Sequence, residues 1–276
     1  MGRAVAAGSP DEVAARVTRV LAGCPEVEAI ALGGSRAAGE ADGRSDVDLY
    51  VYGAAPPPLA VRALLAAGSA RAELDNHFFE PGDEWLDPAS GLNLDVMYRR
   101  PAWIEADLER VLTRHEAWIG YSTCFWDNVR TSRALFDRSG WYAGLQARAA
   151  VPYPEPLRRA IVAKNRPLLA DNLSSFASQL EKAAARGDAV SANHRASAFL
   201  AAFFDVLFAL NRTTHPGEKR LLHHATRRCP LRPAGFEAEV TALLGAAATL
   251  SPAAGPIARG LAAALDELLR QERLLG

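Results

Sequence analysis

Asp46-Val47-Asp48-Leu49-Tyr50-Val51-Tyr52, read together with Leu32-Gly33-Gly34-Ser35-Arg36 just upstream, decides how this chain is understood. Residues 47–52 read as a strand, and side chains alternate across a strand, so Asp46 and Asp48 leave from one face. Two carboxylates a few ångströms apart repel unless a proton or a cation separates them, and hard oxygen ligands suit Mg²⁺. The glycines allow a tight turn whose backbone N–H groups approach a phosphate closely. Together these features point to metal-assisted chemistry on a nucleoside triphosphate.

Working outward, residues 27–32 form a second apolar strand candidate that ends in the glycine turn. A short helix start is expected over 36–39 and a loop over 41–45. Further upstream, Ser9-Pro10-Asp11-Glu12 places a capping serine, a first-turn proline and two acids where a helix begins. That helix should run to about Gly23, with Val13, Val17, Val20 and Leu21 on one face. Downstream, Pro56-Pro57-Pro58 breaks the chain before a helix over 59–67. Strands are expected over 73–79 and 92–98, with a loop holding Pro81, Gly82, Pro88 and Gly91 between them. A helix over 103–115 and a short strand over 133–136 follow.

Beyond Pro152-Tyr153-Pro154 the pattern changes. Helical periodicity covers 157–186, 190–212, 218–228, 236–250 and 257–274, with no strand-like alternation. The fold class is therefore α+β (α/β). A mixed β-sheet domain is expected over 1–150 and an α-helical bundle over 151–276.

The 276 residues suffice for one large or two modest cores, and the formal net charge of −1 provides no global field for nucleic acid or an anionic membrane. Cys24, Cys124 and Cys229 are too scattered for a metal cluster or a disulfide framework, which suits a reducing cytoplasm. Residues 1–10 lack the pattern of a signal peptide, and the most apolar run, 198–210, is too short to span a bilayer and is interrupted by Asp205. A cytoplasmic protein with no membrane partner is the expectation.

A third carboxylate, Asp95, lies within Leu92-Asn93-Leu94-Asp95-Val96-Met97-Tyr98. A charge in such a strand faces solvent, pairs with an arginine such as Arg99 or Arg100, or joins the upstream acids. Gly33-Gly34-Ser35, Asp46-Val47-Asp48 and Asp95 together resemble the signature of the DNA polymerase β-type nucleotidyltransferase superfamily. The helical half resembles, less specifically, those of bacterial small-molecule nucleotidyltransferases, including aminoglycoside adenylyltransferases. The resemblance implies that Asp46 and Asp48 bind two Mg²⁺ ions, with Asp48 bridging them. Asp95 would complete the site of the metal that activates the acceptor hydroxyl. Gly34 and Ser35 would hold the β- and γ-phosphates of ATP or another NTP, with Arg36 as a helper.

Other residues carry weaker signals. Lys219 and Arg220, in the turn His215-Pro216-Gly217-Glu218-Lys219-Arg220, either serve a plain interhelical connection or neutralise the triphosphate, as a second-domain lysine does in the similar enzymes. Glu80 reads as a solvated strand end, or as a base or acceptor contact. Tyr121, Phe125, Trp126 and Asp127 read as interface core or as an acceptor pocket. Asp205, inside an apolar helix, needs a partner and is expected to have a structural one. Arg220 with His224 matches the arginine–histidine pair of helical RNase toxins poorly, being one spacing short.

The preferred function is transfer of a nucleoside monophosphate, AMP from ATP, to a hydroxyl of a small acceptor bound by the helical half, an aminoglycoside-like antibiotic being one candidate. The alternatives are a protein-AMPylating, antitoxin-type enzyme and a non-catalytic nucleotide-binding protein on the same fold. A nucleic-acid polymer is not expected as partner.

Overall fold

The computed structural model describes residues 8–37 and 46–275, so the expected loop over 41–45 and the helix end at Gly39 lie outside the described residues. The chain packs as two compact units. The first comprises residues 1–108 and 128–151, and the second comprises 109–127 and 152–276.

The first unit opens with helix α1 (Pro10–Leu21), whose start is a full capping box: Ser9 accepts from the Glu12 amide and Glu12 accepts from the Ser9 amide. Its Val13, Ala14, Val17 and Leu21 are buried. Strand β1 (Val27–Leu32), the short helix α2 (Gly34–Ala37), β2 (Val47–Gly53) and α3 (Leu59–Leu65) follow. Then come β3 (Ala72–Asn76), β4 (Gly82–Leu86), β5 (Asn93–Arg99), α4 (Pro101–Leu112), which passes into the second unit at residue 109, α5 (Cys124–Thr131), which returns to the first at residue 128, β6 (Arg133–Asp137) and α6 (Trp141–Ala149). The strands form one sheet in the order β3-β4-β5-β2-β1-β6. β2 and β5 run parallel, and every other pairing is antiparallel.

One face of this sheet holds the core. Ile30, Leu32, Val47, Leu49, Val51, Trp85, Leu94, Val96 and Tyr98 pack there with the apolar stripe of α1. The opposite face carries Asp48, Tyr50 and Tyr52 from β2 and Asp95, Met97 and Arg99 from β5, by the alternation of each strand. Part of it is covered by α6: Tyr52 packs at 5.3 Å from both Tyr142 and Trp141, and Ser132 Oγ bonds Tyr142 Oη at 2.6 Å.

Strand β4 corrects the loop expected between residues 80 and 91. Its Asp83 points into the core face, where the acid accepts from Arg62 Nη1 (2.7 Å), Tyr98 Oη (2.6 Å) and the Asp75 amide (2.7 Å). A charge on the buried side hides the alternation that would identify the strand.

The second unit is helical among its described residues: α7 (Glu155–Ala170), α8 (Phe176–Ala185), α9 (Ala189–Leu210), α10 (Leu221–Arg228), α11 (Phe236–Ala248) and α12 (Ala254–Gln271). The single periodic segment over 157–186 is in fact two helices. Pro167 lies in the last turn of α7, and Ser175 caps α8 by accepting from the Ser178 amide at 3.3 Å. Around α9, Phe199, Phe203, Val206, Leu207 and Leu210 are buried in a core of their own. Asp205 on this helix finds the structural partners expected of it, accepting from the Ser122 amide (2.9 Å), Ser122 Oγ (2.6 Å) and Asn165 Nδ2 (3.1 Å).

Candidate active site

The glycine turn and the acids of β2 are built against each other. The Gly33 amide donates to the Asp48 carbonyl at 2.9 Å, which ties the end of β1 to the start of β2. Gly34 has φ +62, and a Cβ there would overlap Asp48 Oδ2 and stand 2.8 Å from Asp48 Cγ. A Cβ on Gly33 would run into the ring of Tyr50, 2.7 Å from its hydroxyl oxygen. Both positions therefore require glycine, one for conformation and close approach, the other for space. Arg36, on α2, donates from Nε to the Asp46 carbonyl at 2.8 Å and closes the turn over the strand entry. Ser35 is the second residue of α2.

Across the sheet, Asp48 stands directly opposite Asp95 in the parallel pairing of β2 and β5. Asp95 stands opposite Glu84 of β4, and Glu84 opposite Glu73 of β3. Directly paired residues share a face, so Glu73, Glu84, Asp95 and Asp48 form one row across four adjacent strands. Neighbouring strands are roughly 4.8 Å apart. A buried carboxyl among like charges at that spacing is harder to ionise. Burial, followed by the charges of Asp48, Glu84, Glu80 and Asp46, lifts Asp95 to about 6.

The donor set is all hard oxygen, lies on one face beside a backbone cradle and is crowded with negative charge, which fits a divalent cation such as Mg²⁺. Among the described residues, no three His, Cys, Asp or Glu side chains are drawn close enough together to hold a metal ion as they stand. Register and face bring Asp48 and Asp95 together, and Asp46 lies one residue before β2.

The row also contains what the sequence reading missed. Glu84 and Glu73 line a cleft of about 230 Å³ together with Arg71, Asn93 and Leu86. Asn93 Nδ2 donates to Glu84 Oε1 at 3.0 Å. Of the locally acidic segment Asp83-Glu84-Asp87, only Glu84 is exposed on the site face. Asp83 is committed to Arg62, while buried Asp87 is ion-paired with Arg16 and accepts from the Ser90 amide at 2.9 Å. The signal was available as the alternation of Asp83, Glu84 and Trp85, had Asp83 been read as inward-facing. Glu80 is neither a solvated strand end nor placed as a base: both of its oxygens accept from Arg99, each at 2.7 Å. Arg99, named above as a partner for Asp95, thus holds Glu80 instead.

The remaining candidates lie in the second unit. Lys219 is exposed in the turn before α10. Trp126 is fully buried against Tyr153 at 5.3 Å. Asp127 is buried and accepts from Thr214 Oγ1 (2.5 Å) and Arg228 Nη1 (3.2 Å), so these two of the aromatic cluster are core. Tyr121 and Phe125 are half-buried, and Tyr121 packs on His215 at 4.9 Å. His224 is buried while its neighbour His223 is exposed.

Residues 17–116 match the family model of the nucleotidyltransferase domain. That span takes in the glycine turn, β2 and β5, the elements on which the resemblance to polymerase β-type enzymes rests. Domains of this family generally use a nucleoside triphosphate and a divalent metal ion. A nucleotidyltransferase-like protein from Exiguobacterium sibiricum 255-15 is a similar solved structure. The match covers 95% of this chain and 76% of that one, at 15% identity and a TM-score of 0.45. No curated protein matches the chain in sequence.

Proposed function

From the nucleotidyltransferase domain carried by residues 17–116, we propose that this protein transfers a nucleoside monophosphate, AMP from ATP, to a hydroxyl of a small acceptor. The observation that carries the reading is the position of Asp48. Its carboxylate lies against the Cα of Gly34, where a triphosphate would be cradled, and its residue pairs directly with Asp95. One acid is thereby common to the phosphate turn and to the row in which the acceptor would be activated.

In this reading Asp46, Asp48 and Asp95 would hold two Mg²⁺ ions. Bound there, such ions neutralise charge on the triphosphate and make the acceptor hydroxyl more acidic. The backbone of Gly34 and Ser35 orients the β- and γ-phosphates, and Arg36 adds positive charge. The acceptor oxygen forms its bond to the α-phosphorus as the bond from that phosphorus to the β-bridging oxygen breaks. Pyrophosphate leaves with the electron pair. Asp95, which stands directly opposite Asp48 in the row, takes the hydroxyl proton as the general base.

The row also favours a class of acceptor. Glu84 and Glu73 continue the line of carboxylates away from the glycine turn into an open cleft. Acids placed there would pair with ammonium groups of a polyhydroxylated amine, the chemistry of an aminoglycoside-like molecule.

The test is a panel of aminoglycosides, neutral sugars, nucleosides and proteins incubated with each NTP and Mg²⁺ and scored by mass. The expected product is an amine-bearing acceptor heavier by one nucleoside monophosphate, with pyrophosphate released in equal amount. An enzyme that neither binds nor turns over any NTP would sink the reading. Labelling confined to neutral acceptors would remove the assignment of Glu73 and Glu84.

A further inference from the structure

Behind the glycine turn lies a set of contacts that the chemistry above does not use. The ring of Tyr50 fills the space where a side chain on Gly33 would be, and so forms the floor of the turn. On Tyr50 lies the guanidinium of Arg99, its central carbon 4.2 Å from the ring centroid. Trp103 of α4 flanks the same guanidinium at 5.3 Å. Both oxygens of Glu80 accept from Arg99, at 2.7 Å each, and the side chain of Arg99 is only 4% exposed.

We propose that Glu80, acting through Arg99 and Tyr50, is a positioning residue for the triphosphate-binding turn; this rests on the nucleotidyltransferase reading above. A guanidinium held between two aromatic faces can still slide in its own plane, and a bidentate carboxylate removes that freedom. A buried arginine also needs its counter-charge, because an uncompensated charge there is strongly unfavourable. Glu80 therefore fixes Arg99, and Arg99 fixes the height and tilt of the Tyr50 ring. That ring in turn sets the position of Gly33, whose amide is bonded to Asp48. The chain of contacts runs from the β3–β4 turn to the phosphate cradle without touching substrate. It acts on nucleotide binding, because the cradle must match the phosphates before any chemistry begins.

The experiment compares wild type, Glu80→Ala, Glu80→Gln, Arg99→Lys, Tyr50→Leu and Tyr50→Phe. The readouts are binding of a fluorescent N-methylanthraniloyl-ATP with Mg²⁺, steady-state pyrophosphate release, and melting temperature. Glu80→Ala and Tyr50→Leu are expected to weaken nucleotide binding and raise KM for ATP by roughly tenfold or more, as loss of supporting contacts does at other sites. Saturated kcat should stay near wild type. Tyr50→Phe keeps the ring and should bind normally, with Glu80→Gln and Arg99→Lys intermediate. If Glu80→Ala or Tyr50→Leu fails to fold, Glu80→Gln and Arg99→Lys carry the comparison, being similar in volume. Folded variants with unchanged affinity, or with kcat lost at constant KM, overturn the proposal while leaving the functional reading intact. A wild-type protein that binds no nucleotide overturns both.

Discussion

Asp48 and Asp95 face each other across the parallel pair β2 and β5, on the side of the sheet opposite its apolar core. In that position each raises the electrostatic cost of the other's charge, and Asp95 is pushed up to about 6 by burial and then by Asp48. Asp48→Asn should lower turnover by on the order of a hundredfold or more, the scale seen when a charge-stabilising group is lost from an active site. The same change should leave the melting temperature equal or slightly raised at neutral pH, since it relieves repulsion. Pyrophosphate release and thermal melting on one preparation check both halves.

Gly34 cannot accept a side chain, because φ is +62 and a Cβ would occupy the space of the Asp48 carboxylate. A non-glycine residue held in such a conformation costs about 1–3 kcal/mol. Gly34→Ala is expected to lose that much stability in urea unfolding and to raise KM for ATP by moving Asp48. An Ala variant with unchanged KM would mean that the turn does not hold phosphate.

Arg62 is buried and donates to Asp83 (2.7 Å), Asp75 (3.0 Å) and the Pro57 carbonyl (2.8 Å). Arg62→Met leaves Asp83 buried without its cation. Breaking a buried pair from one side costs about 3–5 kcal/mol. Urea unfolding should show a loss on that scale, far more than for Arg270→Met, whose partner Glu267 is exposed with it.

Two buried groups of the second unit should give opposite pH signatures. Burial raises Asp205 to about 7, against the hydrogen bonds from Ser122. Its native state keeps a proton that the unfolded chain has lost, so its contribution to stability falls as pH rises from about 4 to 7. Burial, with His224 nearby, lowers His215 to about 3. The unfolded imidazole binds the proton there, so this contribution rises with pH between about 3 and 6.5. In the overlapping window the two offset each other in wild type. Asp205→Asn should expose the rise and His215→Phe the fall, each by up to about 1.4 kcal/mol per pH unit. Urea unfolding from pH 4 to 8 measures both; parallel curves for the three proteins would refute the assignment.

Local signals in the sequence determined much of this protein. Ser9 and Glu12 start α1 because a capping box is satisfied by neighbours in the chain. β1, β2, β5 and the helices after residue 154 follow from apolar periodicity, and Gly33-Gly34 with Asp46 and Asp48 from the needs of one turn and one strand. Tertiary structure alone decided what those elements meet. The strand order sets Asp95 beside Asp48 and Glu84 beside Asp95, although the residues are far apart in the chain. It turned Asp83 inward to Arg62, gave Glu80 to Arg99, and packed residues 109–127 with the helices that follow residue 151. Capping and periodicity act over a few residues and are visible in any short window. Strand register and the pairing of buried charges are set by contacts between segments that only the folded chain brings together.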